Sequence, residues 1–148
     1  MKPVSLVGRS ARAFVLVLMC ATTVSWSKQP PREPGATLEI DWATSPLDLD
    51  LRGMNGERYV LRCPPRAARV GRVVGSGPYT DISSICAAAL QTGVLDERIG
   101  GAVGIEIGPG AGDYIGSTRN GIRSESLHVH WSGSFIVLPV SEAGSAAR

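Results

Sequence analysis

The chain has 148 residues, room for one domain. Its 43% apolar and 19% charged residues are ordinary for a globular protein, while 5% aromatics with 18 Gly and 10 Pro favour short strands and tight turns over long helices. Once the basic N-terminal segment read below is removed, 12 basic residues face 13 acidic ones, and this near-neutral balance excludes the strongly basic character of a nucleic-acid-binding domain.

Residues 1–27 read as a signal peptide. Lys2, Arg9 and Arg12 precede the apolar run Ala13–Met19 and a weaker stretch to Val24, and small residues at Ser25 and Ser27 place cleavage before Lys28. The run is about a dozen residues, short of the roughly 20 that a transmembrane helix needs. Lipidation at Cys20 is set aside because Met19 stands where a lipoprotein signal carries a small residue, and no Arg pair marks a twin-arginine signal. The expected location is secreted or periplasmic. Residues 28–36, KQPPREPGA, read as a Pro-rich tether, and 37–56 as an extension packed on the domain.

In the extension, Leu38, Ile40 and Trp42 alternate with Glu39 and Asp41 as in a half-buried strand, and Leu47, Leu49 and Leu51 alternate with Asp48 and Asp50 as in a second one. Asn55-Gly56 is a turn signal ahead of a strand through Tyr59-Val60-Leu61 to Cys63. Pro64-Pro65 ends that strand, and Val70–Val74 predicts another, closed by Gly75–Pro78. A single helix is predicted over about 82–92, capped by Asp81 or Ser83, with Ile82, Ile85, Cys86, Ala89 and Leu90 on one stripe and Gly93 at its end. Its small Cys86–Ala89 run lets strands lie close, so the helix should be central. Beyond it, 102–107 predicts a strand and Gly108–Gly112 a turn-rich loop. Asn120-Gly121 turns into a polar strand Ile122–Ser126, Ser134–Leu138 predicts a strand with a buried centre, and 139–148 a flexible tail. Removal of Cys20 with the signal leaves Cys63 and Cys86. In an oxidising compartment these should pair, the alternative being two buried free thiols.

Five blocks in order resemble the LCCL domain family: Cys63-Pro64, then VGSGPYTDISSICAAALQTGV at 74–94, GGAVGIEIGPG at 100–110, YIGSTRNGIRS at 114–124 and WSGSF at 131–135. They cover about residues 57–138, and a signal, a tether and one such domain read as a bacterial-type member. The resemblance implies an α+β, β-rich fold in which several short strands wrap around one central helix. It also implies an extracellular, non-catalytic binding module whose ligand class is lipid, lipopolysaccharide or carbohydrate. Two departures stand out. Many members carry four cysteines where this chain keeps Cys63 and Cys86, and a helix position that often holds His is Gln91 here.

The candidate ligand contacts form two groups. Tyr79, Asp81, Ser83 and Ser84 at the helix start can offer hydroxyls and backbone N–H groups to an anion, or can simply cap the helix. Arg58, Arg62, Arg66, Arg69 and Arg72 place five guanidiniums in fifteen positions without an acid. Such groups grip phosphate or carboxylate bidentately, and Arg62, Arg66, Arg69 and Arg72 are the chosen contacts. Solvated strand-edge charges are the alternative reading. His128 and His130 would share a strand face but lack a third metal ligand, Gly108, Gly110 and Gly112 do not match a phosphate loop, and no catalytic constellation is seen. The expectation is an exported binding module for anionic lipid, lipopolysaccharide or glycan, with no cofactor or metal. An envelope structural or protein-interaction domain is the alternative, and a hydrolase with a dispersed site comes third.

Overall fold

Apolar side chains at every second position, set against a helix of small residues, organise the molecule. The computed structural model describes residues 37–67 and 70–143; the signal (1–27), the tether (28–36), Arg69 and residues 144–148 lie outside the described residues. The elements in order are β1 (Leu38–Glu39), β2 (Arg58–Cys63), β3 (Tyr79–Thr80), α1 (Ile85–Thr92), β4 (Gly101–Ala111), β5 (Thr118–Arg119), β6 (Ile122–Arg123), β7 (Trp131–Leu138) and α2 (Val140–Ala143). One sheet runs β1-β2-β4-β7-β3, and β5 pairs with β6 in a separate hairpin.

Register carries the period-two pattern into the core. Leu61 lies opposite Val103, Tyr59 opposite Ile105, and Ile107 opposite Phe135, so these side chains share one face. They pack with α1, where Ile85 through Ala89 are fully buried. A helix apolar all round must be enclosed. The sheet covers one side, and Ile40, Trp42, Leu51 and Ile122 join the same core from the segments that wrap the rest. Cys63 on β2 and Cys86 on α1 form the expected disulfide, tying sheet to helix. The β-rich, single-disulfide architecture with a central helix is therefore the one the sequence pattern implied. Among the described residues no helix is long and apolar enough to cross a membrane.

Several local expectations are corrected. The helix begins at Ile85 rather than 82, because Ser83 N–H first closes a turn onto Thr80 O; Ser84 is the cap, its Oγ accepting from Ala87 N–H, and left-handed Gly93 ends the helix as expected. Residues 46–51 form turns instead of a strand: Asp48 Oδ2 accepts from Ser45 N–H and Oγ, Pro46 O accepts from Leu51 N–H, and Asp50 has positive φ. Of Val70–Val74 only Val74 forms a bridge, to Glu125, since Gly71 N–H goes to Trp42 O and Arg72 O to Ser84 N–H around the helix.

Gly108 and Gly110 lie in a strand rather than a loop, and Gly112 follows it in a bend. β4 continues to Ala111, with Gly108 opposite Ser134 and Pro109 opposite Gly133, and a Cβ on Gly110 would strike the Trp131 carbonyl. Absent side chains there permit close strand approach. Only the Ile122–Arg123 part of the expected 122–126 strand is ladder, because Ser124 and Ser126 hydroxyls take up the N–H groups of Ser117 and Gly116. In β7, Phe135 is buried while Ile136 faces outward, 39% exposed.

Candidate functional site

The helix-start group is a closed internal network. Tyr79, Asp81, Ser83 and Ser84 are all buried. Tyr79 Oη donates to Gln91 Oε1 at 2.9 Å; burial pushes its phenol pKa up to about 12 against the pull of Arg119's charge. Ser83 Oγ accepts from Val74 N–H, and Ser84 Oγ donates to Trp42 O besides capping α1. Asp81 accepts from Arg52 Nε at 2.5 Å and Nη2 at 2.9 Å, and from Trp131 Nε1 at 2.7 Å. Burial alone would raise its pKa, but those hydrogen bonds and the Arg52 charge outweigh it and hold the carboxyl below its usual value. A Cβ on Gly133 would fall onto this carboxylate, so glycine is what admits the contact. These residues fasten the 46–52 segment and the helix start to β7, and none of them presents a side chain to solvent.

The arginine series is spread out and mostly paired with carboxylates distant in sequence. Arg58 meets Glu106 at 2.7 Å, Arg66 meets Glu97 at 2.5 Å and Arg72 meets Glu125 at 2.6 Å. Arg62 differs. Its nearest acid, Glu39, is 3.9 Å away, and its side chain is 61% exposed. Arg62 borders a cleft of about 350 Å³ lined by Glu39, Ile40, Cys63, Pro64, Pro65 and Ile99. The Trp42 indole N–H, donating to the carbonyls of both Pro64 and Pro65, fixes one wall. Ile99, on the 97–99 turn, is 76% exposed at the mouth. The cleft thus combines apolar side chains of Ile40, Pro64, Pro65 and Ile99 with one loosely held cation and the acid Glu39.

Sequence reasoning missed three other arginines. Among the described residues no carboxylate stands within ion-pair distance of Arg98, Arg119 or Arg123. Arg119 and Arg123 flank the Asn120-Gly121 turn that was legible in sequence, so their display on a hairpin could have been read from it. Arg98 and Asn120, together with the acids Asp96 and Glu97, border a second groove, about 480 Å³, at the C-terminal end of α1. Arg52 carried no such signal, since its partner is 29 residues away. His128 lies outside any strand and contacts Asp113 Oδ1 at 2.6 Å, which removes the shared face expected with His130. Among the described residues no three His, Cys, Asp or Glu side chains gather as a metal site requires.

A family model described as the LCCL domain matches residues 20–135. Vitrin of Mus musculus is 32% identical over 127 residues, covering 83% of this chain and 19% of that protein. Clotting factor C of Tachypleus tridentatus is 35% identical over 114 residues, 74% of this chain and 11% of that protein. A human protein named cysteine-rich secretory protein LCCL domain-containing 2 is 44% identical over 55 residues, 37% of this chain and 11% of its own length. The chain therefore spans a fifth or less of these relatives.

Proposed function

The chain belongs to the LCCL domain family, and on that premise we propose that it is an exported, non-catalytic binding module for an anionic amphiphile of the lipid or lipopolysaccharide type, or for a glycan bearing similar groups. In this reading residues 1–27 direct export, 28–36 form the tether and 37–56 are an integral extension of the domain. Membership of a non-catalytic module family supports the absence of catalysis, and a relative named as secretory supports export.

The observation that carries the reading is the cleft beside the disulfide. Its apolar lining from Ile40, Pro64, Pro65 and Ile99 suits an acyl chain, and Arg62 at the rim suits the phosphate or carboxylate next to it. Arg66, Arg69 and Arg72 of the same sequence run are further proposed anion contacts. The exposed ion pairs of Arg66 and Arg72 are each worth at most about 1 kcal/mol, so a phosphate can displace their carboxylates at small cost. Tyr79, Asp81, Ser83 and Ser84 serve the fold in this proposal.

Sedimentation with vesicles containing an anionic glycolipid tests it. Arg62→Glu and Ile99→Asp should each weaken binding roughly tenfold or more, and vesicles of neutral lipid should bind less well than anionic ones. Equal binding by wild type and both variants would remove the cleft from the account.

A further inference from the structure

We infer that the cleft beside the disulfide selects a lipid whose phosphate carries a neighbouring primary ammonium, as in a phosphoethanolamine headgroup, and that Glu39 makes the selection. This rests on the cleft reading proposed above and adds the chemistry of the headgroup to it. The inference starts from the acid that stands beside the cleft's cation. Glu39 and Arg62 lie opposite one another in the parallel pairing of β1 with β2. Leu38 and Leu61, one residue earlier in each strand, turn into the core, so Glu39 and Arg62 turn outward together. The Ile40 N–H donates to the Arg62 carbonyl at 3.0 Å and continues the ladder beside them. Their backbones are therefore held before any ligand arrives, which lowers the ordering cost of binding.

The two charged heads do not satisfy each other. Arg62 Nε and Glu39 Oε1 are 3.9 Å apart, beyond hydrogen-bond length, and the side chains are 61% and 83% exposed. Among the described residues neither side chain makes a hydrogen bond. The cleft is thus bordered by guanidinium donors and by a carboxylate acceptor, each with room for a partner.

This pairing of groups selects the ligand. A bare anion seated on Arg62 meets the Glu39 carboxylate at close range and is repelled. An ammonium two carbons from a phosphate removes that conflict. It donates to Glu39 while the phosphate accepts from Arg62, each contact at the charge-assisted length of about 2.8 Å. A quaternary ammonium has no N–H to donate and is recognised instead by aromatic faces, and no aromatic side chain lines this cleft. The cavity of about 350 Å³ is at the small end for ligand sites. It has room for a headgroup and for the first carbons of a chain along Ile40, Pro64, Pro65 and Ile99.

The test is sedimentation of the purified chain with two vesicle types that carry the same fraction of anionic glycolipid. In one the remaining lipid is phosphatidylcholine, and in the other half of it is replaced by phosphatidylethanolamine. Wild type should reach half-saturation at roughly fivefold lower lipid with the amine-bearing vesicles. Glu39→Gln should erase this preference by moving the two arms in opposite directions: weaker binding where the amine is present, and tighter binding to phosphatidylcholine vesicles because the repulsion is gone. Glu39→Asp, which keeps the charge, should keep part of the preference. The Glu39 side chain makes no hydrogen bond, so Glu39→Gln should melt at the wild-type temperature. Equal binding of both vesicle types by wild type, or a change of the same sign on both in Glu39→Gln, would overturn the inference. Either result leaves the cleft reading standing if Arg62→Glu and Ile99→Asp still lose binding to both vesicle types; wild-type binding by those two variants would overturn both.

Discussion

Arg52→Met isolates the buried charge that holds the 46–52 segment to the domain. In the wild-type protein the Asp81 carboxylate has no exposed surface and takes two hydrogen bonds from Arg52 and one from Trp131. Removing one partner of a buried ion pair costs about 3–5 kcal/mol, because the other charge stays desolvated. The Arg52 side chain is 37% exposed, so solvent screens part of the interaction, and about 2–3 kcal/mol is the fitting magnitude. For a domain of this size that lowers the melting temperature by roughly 10–20 °C.

The pH dependence identifies the cause. Asp81's folded pKa lies below its ordinary value of about 4, so its contribution is present above pH 4 and is lost as pH falls through the folded value. In Arg52→Met, burial loses its chief opponent and the folded pKa rises above about 4. The variant is then relieved by protonation at low pH. Its deficit against wild type should be smallest near pH 3 and should widen toward pH 7. Urea denaturation followed by tryptophan fluorescence at pH 3, 5 and 7 measures this, and adding Asp81→Asn should recover part of the loss at pH 7. A deficit that is the same at all three pH values would show that the Asp81 charge does not fasten this segment.

Two further substitutions probe the remaining internal ties. Cys63→Ala/Cys86→Ala removes a bridge of sequence separation 23, for which the chain-entropy relation gives about 3.5 kcal/mol; a urea midpoint equal to wild type would contradict that account. Gln91→Glu replaces a buried amide that donates to the Ser117 and Ile122 carbonyls with a group whose oxygens face them, at a cost of about 2–4 kcal/mol by thermal unfolding. That loss should shrink as acid protonates the new carboxyl.

What the sequence made legible is what depends on short-range pattern. Strand β4 followed from alternating apolar residues, β2 and β7 from short apolar runs, and the burial of α1 from its small, apolar run. The Asn120-Gly121 turn followed from two residues that tolerate positive φ, and both adopt it. The failures share a physical origin. Leu47, Leu49 and Leu51 alternate with Asp48 and Asp50, but Asp48 bonds back to Ser45, which favours turns over a ladder. Gly108 and Gly110 have the composition of a turn, whereas their role is set by the approach of β7, a partner more than 20 residues away. Asp81, Ser83 and Ser84 are all able to cap a helix, and tertiary bonds from Arg52 and Val74 decide that Ser84 does so. The density of arginines was plain in sequence. Their carboxylate partners lie 23 to 53 residues away and were not.

Those partners explain how the fold separates stability from surface charge. Arg58–Glu106 joins β2 to β4, Arg66–Glu97 joins the loop after β2 to the 97–99 turn, and Arg72–Glu125 joins the loop before β3 to the segment after β6. All are solvent-facing, so each is worth at most about 1 kcal/mol and weakens in salt. The ties that are costly to break run through Asp81, Gln91 and the disulfide, whose side chains are buried, although Arg52, the partner of Asp81, is 37% exposed. An anion that displaces a surface carboxylate therefore takes little from the fold, and one that meets Arg98, Arg119 or Arg123 displaces no carboxylate of the described residues. Surface arginines other than Arg52 can change with the ligand on this scaffold while the helix and its β wrapping persist, because the groups that hold the fold and those that meet solvent are, Arg52 apart, different side chains.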